Sequence, residues 1–228
     1  MQPAIQSFPS RDALMAAASQ RLADALRDGI AARGEACVAL SGGGTPEPAY
    51  KLLAQQQIDW SKVTFALVDE RCVPPDDQAS NEGLLRRALA PALTQGARVL
   101  PMNRAGATPH DAAQAANEAY AAQTFDAALM GMGADGHTAS WFPDADKLAE
   151  ALDPTNPRSV MAIRSASAAG AAERLTLTRS ALARAKRIYL LITGQDKRDV
   201  LEAALGDAPE PVSALFRAPL QTEVLWAP

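Results

Sequence analysis

Only two histidines, His110 and His137, can exchange a proton near neutral pH without a shifted pKa. His137 closes the segment Gly131-Met132-Gly133-Ala134-Asp135-Gly136-His137, just beyond the apolar run Ala127–Met130, which reads as a strand. A histidine at the carboxyl end of a strand points toward a cleft. This makes His137 the candidate general base, and Asp135 the group that could orient it or hold the imidazolium. The alternative is a structural histidine bonding backbone in a tight loop. His110 follows Thr108-Pro109 in the first turn of an expected helix and reads as solvated surface. The histidine segment also contains Gly131-x-Gly133-x-x-Gly136, a literal dinucleotide fingerprint. A dinucleotide unit needs a second strand ending in Asp or Glu about 20 residues later. Residues 143–158 are instead polar and proline-rich, with Asp153 inside Leu-Asp-Pro-Thr-Asn-Pro. Nicotinamide binding is not expected.

Two further strand ends carry unusual chemistry. Ser41-Gly42-Gly43-Gly44-Thr45-Pro46 follows the strand candidate Cys37–Leu40 and precedes a helix. Its backbone N–H groups, the positive end of a helix dipole and the Ser41 and Thr45 hydroxyls make an anion site without a lysine. Three successive glycines exceed what an ordinary strand-to-helix turn requires, and the absence of Gly-Lys-Ser/Thr excludes a Walker A loop. Asp69-Glu70-Arg71 follows Val63–Val68. There Arg71 could clamp a phosphate or neutralise an oxyanion, or the cluster could simply close a loop as an ion pair. Lys197 and Arg198, after Thr193-Gly194-Gln195-Asp196, could reach the same anion or remain solvated helix charges. Cys72 has no histidine near it in sequence and is a poor nucleophile candidate; with Cys37 it makes neither a disulfide framework nor a metal motif, and no metal is expected.

The elements that must position these residues alternate between strand-like and helical runs. Strands are expected at Ala4–Phe8, Cys37–Leu40, Val63–Val68, Ala127–Met130, Val160–Ile163, Ile188–Thr193 and Glu223–Trp226. Helices are expected from the cap Ser10 to near Gly34, from Pro46 to about Gln57, from near Ser80, from Thr108-Pro109 to about Gln123, and over Asp196–Leu205. The stretch 141–158 reads as loop or broken helix. Such alternation implies an α/β fold, a doubly wound and mostly parallel sheet with helices on both faces, binding ligand at the strand carboxyl ends. The 228 residues form a single domain, with an embedded subdomain around 140–185. A 48% hydrophobic and 21% charged composition with net charge −4 excludes disorder and gives no footprint for nucleic acid. No apolar run approaches a bilayer span, and Met1–Gln6 lacks a secretory pattern, so a reduced cytoplasmic setting and a monomer are expected.

Taken together, the three turns resemble those of the 6-phosphogluconolactonases. The resemblance rests on Ser41–Pro46, on Asp69-Glu70-Arg71 with Ser80-Asn81, and on Gly131-x-Gly133-x-Asp135-Gly136-His137-Thr138-Ala139-Ser140-x-Phe142-Pro143. Arg174-Leu175-Thr176-Leu177-Thr178, Thr193-Gly194-x-x-Lys197 and Pro211-Val212-Ser213 follow in the family's order, so the pattern spans about 36–216. The family is similar in fold to the amino-sugar-phosphate deaminases. Those typically continue after the histidine to a glutamate that supports ring opening; here Thr138–Pro143 contains none. Two positions depart from the family, Trp141 in place of leucine and Cys72 in place of an aromatic, and Trp141 is expected to reshape the pocket wall.

The resemblance implies hydrolysis of a sugar-phosphate lactone, 6-phospho-D-glucono-1,5-lactone, without cofactor. His137, Arg71 and Asp135 would be the catalytic group, and Ser41, Gly42, Gly43, Gly44, Thr45, Lys197 and Arg174 would hold the phosphate. Asp69, Glu70 and Gly133 would line the rest of the pocket. A deaminase or isomerase of the same superfamily, or a non-catalytic sugar-phosphate binder, are the alternatives.

Overall fold

Helix α1, Arg11–Arg33, shows how directly local chemistry sets the elements. Ser10 is extended, and its hydroxyl accepts from the Ala13 N–H at 3.2 Å, a cap contributing about 1 kcal/mol. At the other end Gly34 takes φ 80° and returns its N–H to Ile30 O. The structure is a computed structural model describing residues 4–206 and 210–228. Its strands are β1 (Ile5–Ser7), β2 (Ala36–Leu40), β3 (Val63–Leu67), β4 (Asp69–Arg71), β5 (Arg98–Val99), β6 (Ala127–Met130), β7 (Val160–Arg164), β8 (Glu173–Leu177), β9 (Ile188–Thr193) and β10 (Thr222–Ala227). The remaining α-helices are α2 (Glu47–Leu53), α3 (Asn81–Ala88), α4 (Ala90–Thr94), α5 (Pro109–Ala121), α6 (Leu148–Leu152), α7 (Arg179–Leu182) and α8 (Gln195–Ala204). None of the described helices is long and apolar enough to cross a membrane.

Seven strands form one sheet in the order β1-β10-β9-β6-β2-β3-β5, and every pairing in it is parallel. This is the expected α/β fold. The chain moves outward from β2 through β3 to β5, then returns to the other side of β2 as β6. The reversal opens a crevice at the carboxyl ends of β2 and β6. Strands β2 and β6 are buried along their whole length, as both-face coverage of a parallel sheet requires.

The sequence reading had no second sheet. Residues 69–71, expected as a charged cluster topping the Val63–Val68 strand, form β4, which pairs antiparallel with β8, and β8 with β7. The strand expected at Val160–Ile163 therefore belongs to this small sheet. Val68 joins the two sheets by itself: its N–H donates to Leu40 O at 3.1 Å, and its carbonyl accepts from Leu177 N–H at 2.9 Å. The helix expected to run to Gln57 ends at Leu53, and β5, β8 and α7 carry too few periodic residues to be legible.

At the amino end of the sheet, buried Asp126 accepts from the Cys37 N–H at 3.0 Å, Arg33 Nη2 at 2.7 Å and Lys186 Nζ at 3.0 Å. One carboxylate thus ties the end of α1 to the starts of β2 and β6 and to the segment before β9. Gly29 makes room for it, because a Cβ there would fall 2.5 Å from Asp126 Oδ2.

Candidate active site

The three turns converge. A cavity of about 290 Å³ at the carboxyl ends of β2, β6 and β9 is lined by Ser41, Gly42, Gly43, Thr45, Asp69, Arg71, Gly133, Asp135, His137, Arg174 and Lys197. Two expected members are missing from its wall, Gly44 and Glu70.

The Ser41–Pro46 turn is held from below by Tyr50, whose hydroxyl donates to Ser41 O at 2.7 Å. Gly43 takes φ 91°, which a side chain would resist. Gly42 is fixed by a close approach, since a Cβ would lie 1.8 Å from Asn81 Oδ1. Among the described residues, the N–H groups of Gly42, Gly43, Gly44 and Thr45 donate to no protein acceptor, and the buried Ser41 hydroxyl has no partner. Unpaired donors gathered at one turn form a cradle for an anion.

Strand alternation sorts the acidic cluster. Asp69 and Arg71 face the cavity and Glu70 faces away. Glu70, 1% exposed, accepts from the N–H groups of Arg71, Asn81 and Glu82 at 2.7, 2.8 and 2.7 Å and from Ser80 Oγ at 3.0 Å. Three of these four donors belong to the start of α3 and the fourth to its own strand, so it is a cap and not a pocket residue. Burial raises its pKa above the usual carboxylate range even against these donors. Asp69 accepts from Ser140 Oγ at 2.7 Å and Asn81 Nδ2 at 3.3 Å. It thereby links the histidine loop to the glycine turn through side chains that the sequence reading did not list as site residues.

Arg71 lies directly opposite Arg174 across β4 and β8. Arg71 Nη1 donates to Ala79 O, while its Nε is buried without a partner. Arg174, 2% exposed, donates Nε to Ala171 O at 2.6 Å and Nη2 to Ala169 O, and lies over the Phe142 ring at 5.6 Å. Burial, then the neighbouring Arg71 charge, pulls its pKa down. Among the described residues neither guanidinium is ion-paired with a carboxylate and both keep spare N–H groups, which favours an anion in the cavity. Lys197 donates to Met132 O; burial lowers its pKa, partly offset by Asp135.

The loop bearing His137 is closed by Gly133 N–H to His137 O at 2.9 Å and by Gly136 at φ 72°. Asp135 Oδ1 lies 2.5 Å from His137 Nδ1, and the imidazole stacks on Phe142 with centroids 4.1 Å apart. The carboxylate holds the proton on Nδ1, so the lone pair belongs to Nε2. Gly133 leaves space for both side chains, as a Cβ would fall 2.2 Å from His137 Nδ1. Ala139, next on the wall, has φ 49° and is the one described non-glycine residue with positive φ.

Trp141 does not shape the pocket. It is fully buried, with Nε1 donating to Leu177 O at 2.9 Å beneath the small sheet. Cys72 is half-buried, and burial pushes its thiol up to about 11, far from a nucleophile at neutral pH. Among the described residues, no group of three or more His, Cys, Asp or Glu side chains is placed to hold a metal ion.

Residues 9–226 match the family model described as glucosamine-6-phosphate isomerases/6-phosphogluconolactonase. A 6-phosphogluconolactonase of Mesorhizobium japonicum is 41% identical over 226 residues, covering 97% of this chain and 94% of its own. One from Rhizobium meliloti is 42% identical over 230 residues, covering 97% of each. The crystal structure of a 6-phosphogluconolactonase from Shewanella baltica superposes with a TM-score of 0.93 at 33% identity, covering 100% of this chain and 98% of the other.

Proposed function

Because this chain belongs to the family of glucosamine-6-phosphate isomerases and 6-phosphogluconolactonases, we propose that it hydrolyses 6-phospho-D-glucono-1,5-lactone to 6-phosphogluconate. The observation that carries this reading is the shared cavity, in which a turn of unpaired donors and a carboxylate-oriented imidazole face one space. The phosphate docks on the Ser41–Thr45 N–H groups, with charge from Lys197 and Arg174. This places the C1 carbonyl against His137.

His137 Nε2 takes a proton from water as the water oxygen bonds to C1. Asp135 stabilises the imidazolium, and Arg71 or free backbone N–H groups receive the charge that develops on the carbonyl oxygen. The C1–ring oxygen bond then breaks, and His137 returns the proton to the departing ring oxygen. The lactone is already an activated ester, so general-base catalysis of about 10²–10⁴-fold together with positioning suffices.

Replacing His137 with alanine should lower kcat by about 10²–10⁴-fold. The assay follows acid release from fresh lactone above the spontaneous background. A variant that keeps most of its kcat would remove His137 from the base role. A deaminase would instead release ammonia from glucosamine 6-phosphate, and the absence of a carboxylate from Thr138–Pro143 argues against that reading.

A further inference from the structure

A second cavity, of about 230 Å³, lies between α5 and the outer edge of β7. One helical face, His110, Ala113, Gln114 and Asn117, forms its first wall, at the i, i+3, i+4, i+7 spacing of a single stripe. Val160, Met161 and Ala162 form the second, and Lys147 and Arg158 stand at its sides. Its lining contains no carboxylate, although the chain carries net charge −4. Glu150 pairs with Arg158 at 2.8 Å but does not line the space.

The backbone adds a donor to this wall. Leu177 N–H donates to Val68 O and Cys72 N–H to Glu173 O, so Glu173 and Leu177, and Leu175 between them, bond toward β4. Thr176 and Arg174 therefore bond toward β7, opposite Met161 and Ile163. Val160, Ala162 and Arg164 turn their polar groups outward. Asn117 Oδ1 takes the Val160 N–H at 3.4 Å, and Asp146 Oδ1 takes that of Arg164 at 2.9 Å. The Ala162 carbonyl accepts from Lys147 Nζ at 3.4 Å, whereas among the described residues its N–H has no acceptor. Asn117 Oδ1 also takes the Ser159 N–H at 2.5 Å, which leaves its Nδ2, and the exposed Gln114 side chain, with no acceptor among the described residues.

We propose that this cavity is an accessory oxyanion site for a phosphate group, held by the Ala162 N–H, Gln114 and Asn117 amides and the Lys147 and Arg158 cations. Spare donors beside the exposed Lys147 ammonium, and beside an Arg158 guanidinium whose Nη1 already pairs with Glu150 but whose Nε and Nη2 have no protein partner among the described residues, fit a phosphate and disfavour a cation or a neutral apolar ligand. The site lies one residue in register from Ile163, which faces Arg174 of the first cavity across the small sheet. It does not depend on the reaction assigned above.

Amide chemical shifts test the idea, with inorganic phosphate in one arm and glycerol 2-phosphate in another. The Ala162 and Gln114 amides should shift and saturate, and Gly43 reports the first cavity separately. Whichever probe saturates at lower concentration tells free phosphate from a phosphate monoester. Lys147→Glu should weaken saturation at Ala162 by about tenfold or more, through loss of attraction and added repulsion, while Gly43 responds as before. Gln114→Leu removes a donor without changing charge and should weaken it in the same direction. An Ala162 amide that stays still while Gly43 moves would overturn the site. So would a response that neither substitution weakens.

Discussion

At the scale of residues, Lys197 separates binding from chemistry. Its ammonium reaches the cavity from the start of α8 and donates to the Met132 carbonyl, with no hydrogen bond to His137 among the described residues. A phosphate anchor contributes equally to ground and transition states, so Lys197→Ala should raise KM with little change in kcat. A fall in kcat at constant KM would move Lys197 to the reacting carbon. His137, Asp135 and the glycine turn were legible because residue type and a preceding apolar run identify a strand end. Glu70 was misplaced because a cluster of three charged residues in sequence says nothing about alternation. Once 69–71 is a strand, adjacent side chains must part, two to the cavity and one to the helix cap. Ser140 and Asn81 stayed hidden because their role is to meet at Asp69, and neither lies beside it in the chain.

At the scale of elements, the fit of α1 against β6 turns on one missing methyl. Gly29→Ala would place Cβ 2.5–2.8 Å from the three outer atoms of the Asp126 carboxylate. Overpacking of this kind costs about 1–3 kcal/mol, which urea unfolding would read directly. The loop before β8 is latched differently. Asp144 accepts from Ser165 and Ser167 hydroxyls at 2.5 and 2.7 Å and from the Ala166 and Ser167 N–H groups at 3.0 and 3.1 Å. The two serine hydroxyls above all hold its pKa down to about 2. A carboxylate depressed on folding contributes stability above its ordinary pKa of 3.8 and loses it as pH falls toward 2. The stability difference between the native chain and Asp144→Asn should therefore be constant above about pH 4 and shrink as pH drops through that window. Capped helices such as α1 and α5 were legible from Ser10, Gly34 and Thr108-Pro109. The Ser165–Ala172 segment was not, because small residues without periodicity carry no local signal.

At the scale of the whole molecule, both sheets share one apolar core, which runs from Leu14 and Phe65 to Trp141 and Leu177. Trp60 sits beside Phe65 of the parallel sheet, and Trp141 hangs from Leu177 of the small one. In a variant retaining Trp60 or Trp141 alone, the fluorescence midpoint in urea should coincide with that same variant's circular-dichroism midpoint, as a single cooperative unit requires. Two separated midpoints would make the small sheet an independent subdomain. The parallel sheet was readable from hydrophobic runs bounded by turn residues. The antiparallel sheet was not, since its three strands come from distant parts of the chain and only their pairing makes them one object.

Val68 leaves no slack between the sheets: one backbone unit is spoken for on both sides. An inserted or deleted amino acid here would shift the following strand by one place, turning Glu70 inward and Asp69 and Arg71 outward. A one-residue insertion is thus expected to be borne far better within the exposed stretch 74–78 than between Leu67 and Arg71.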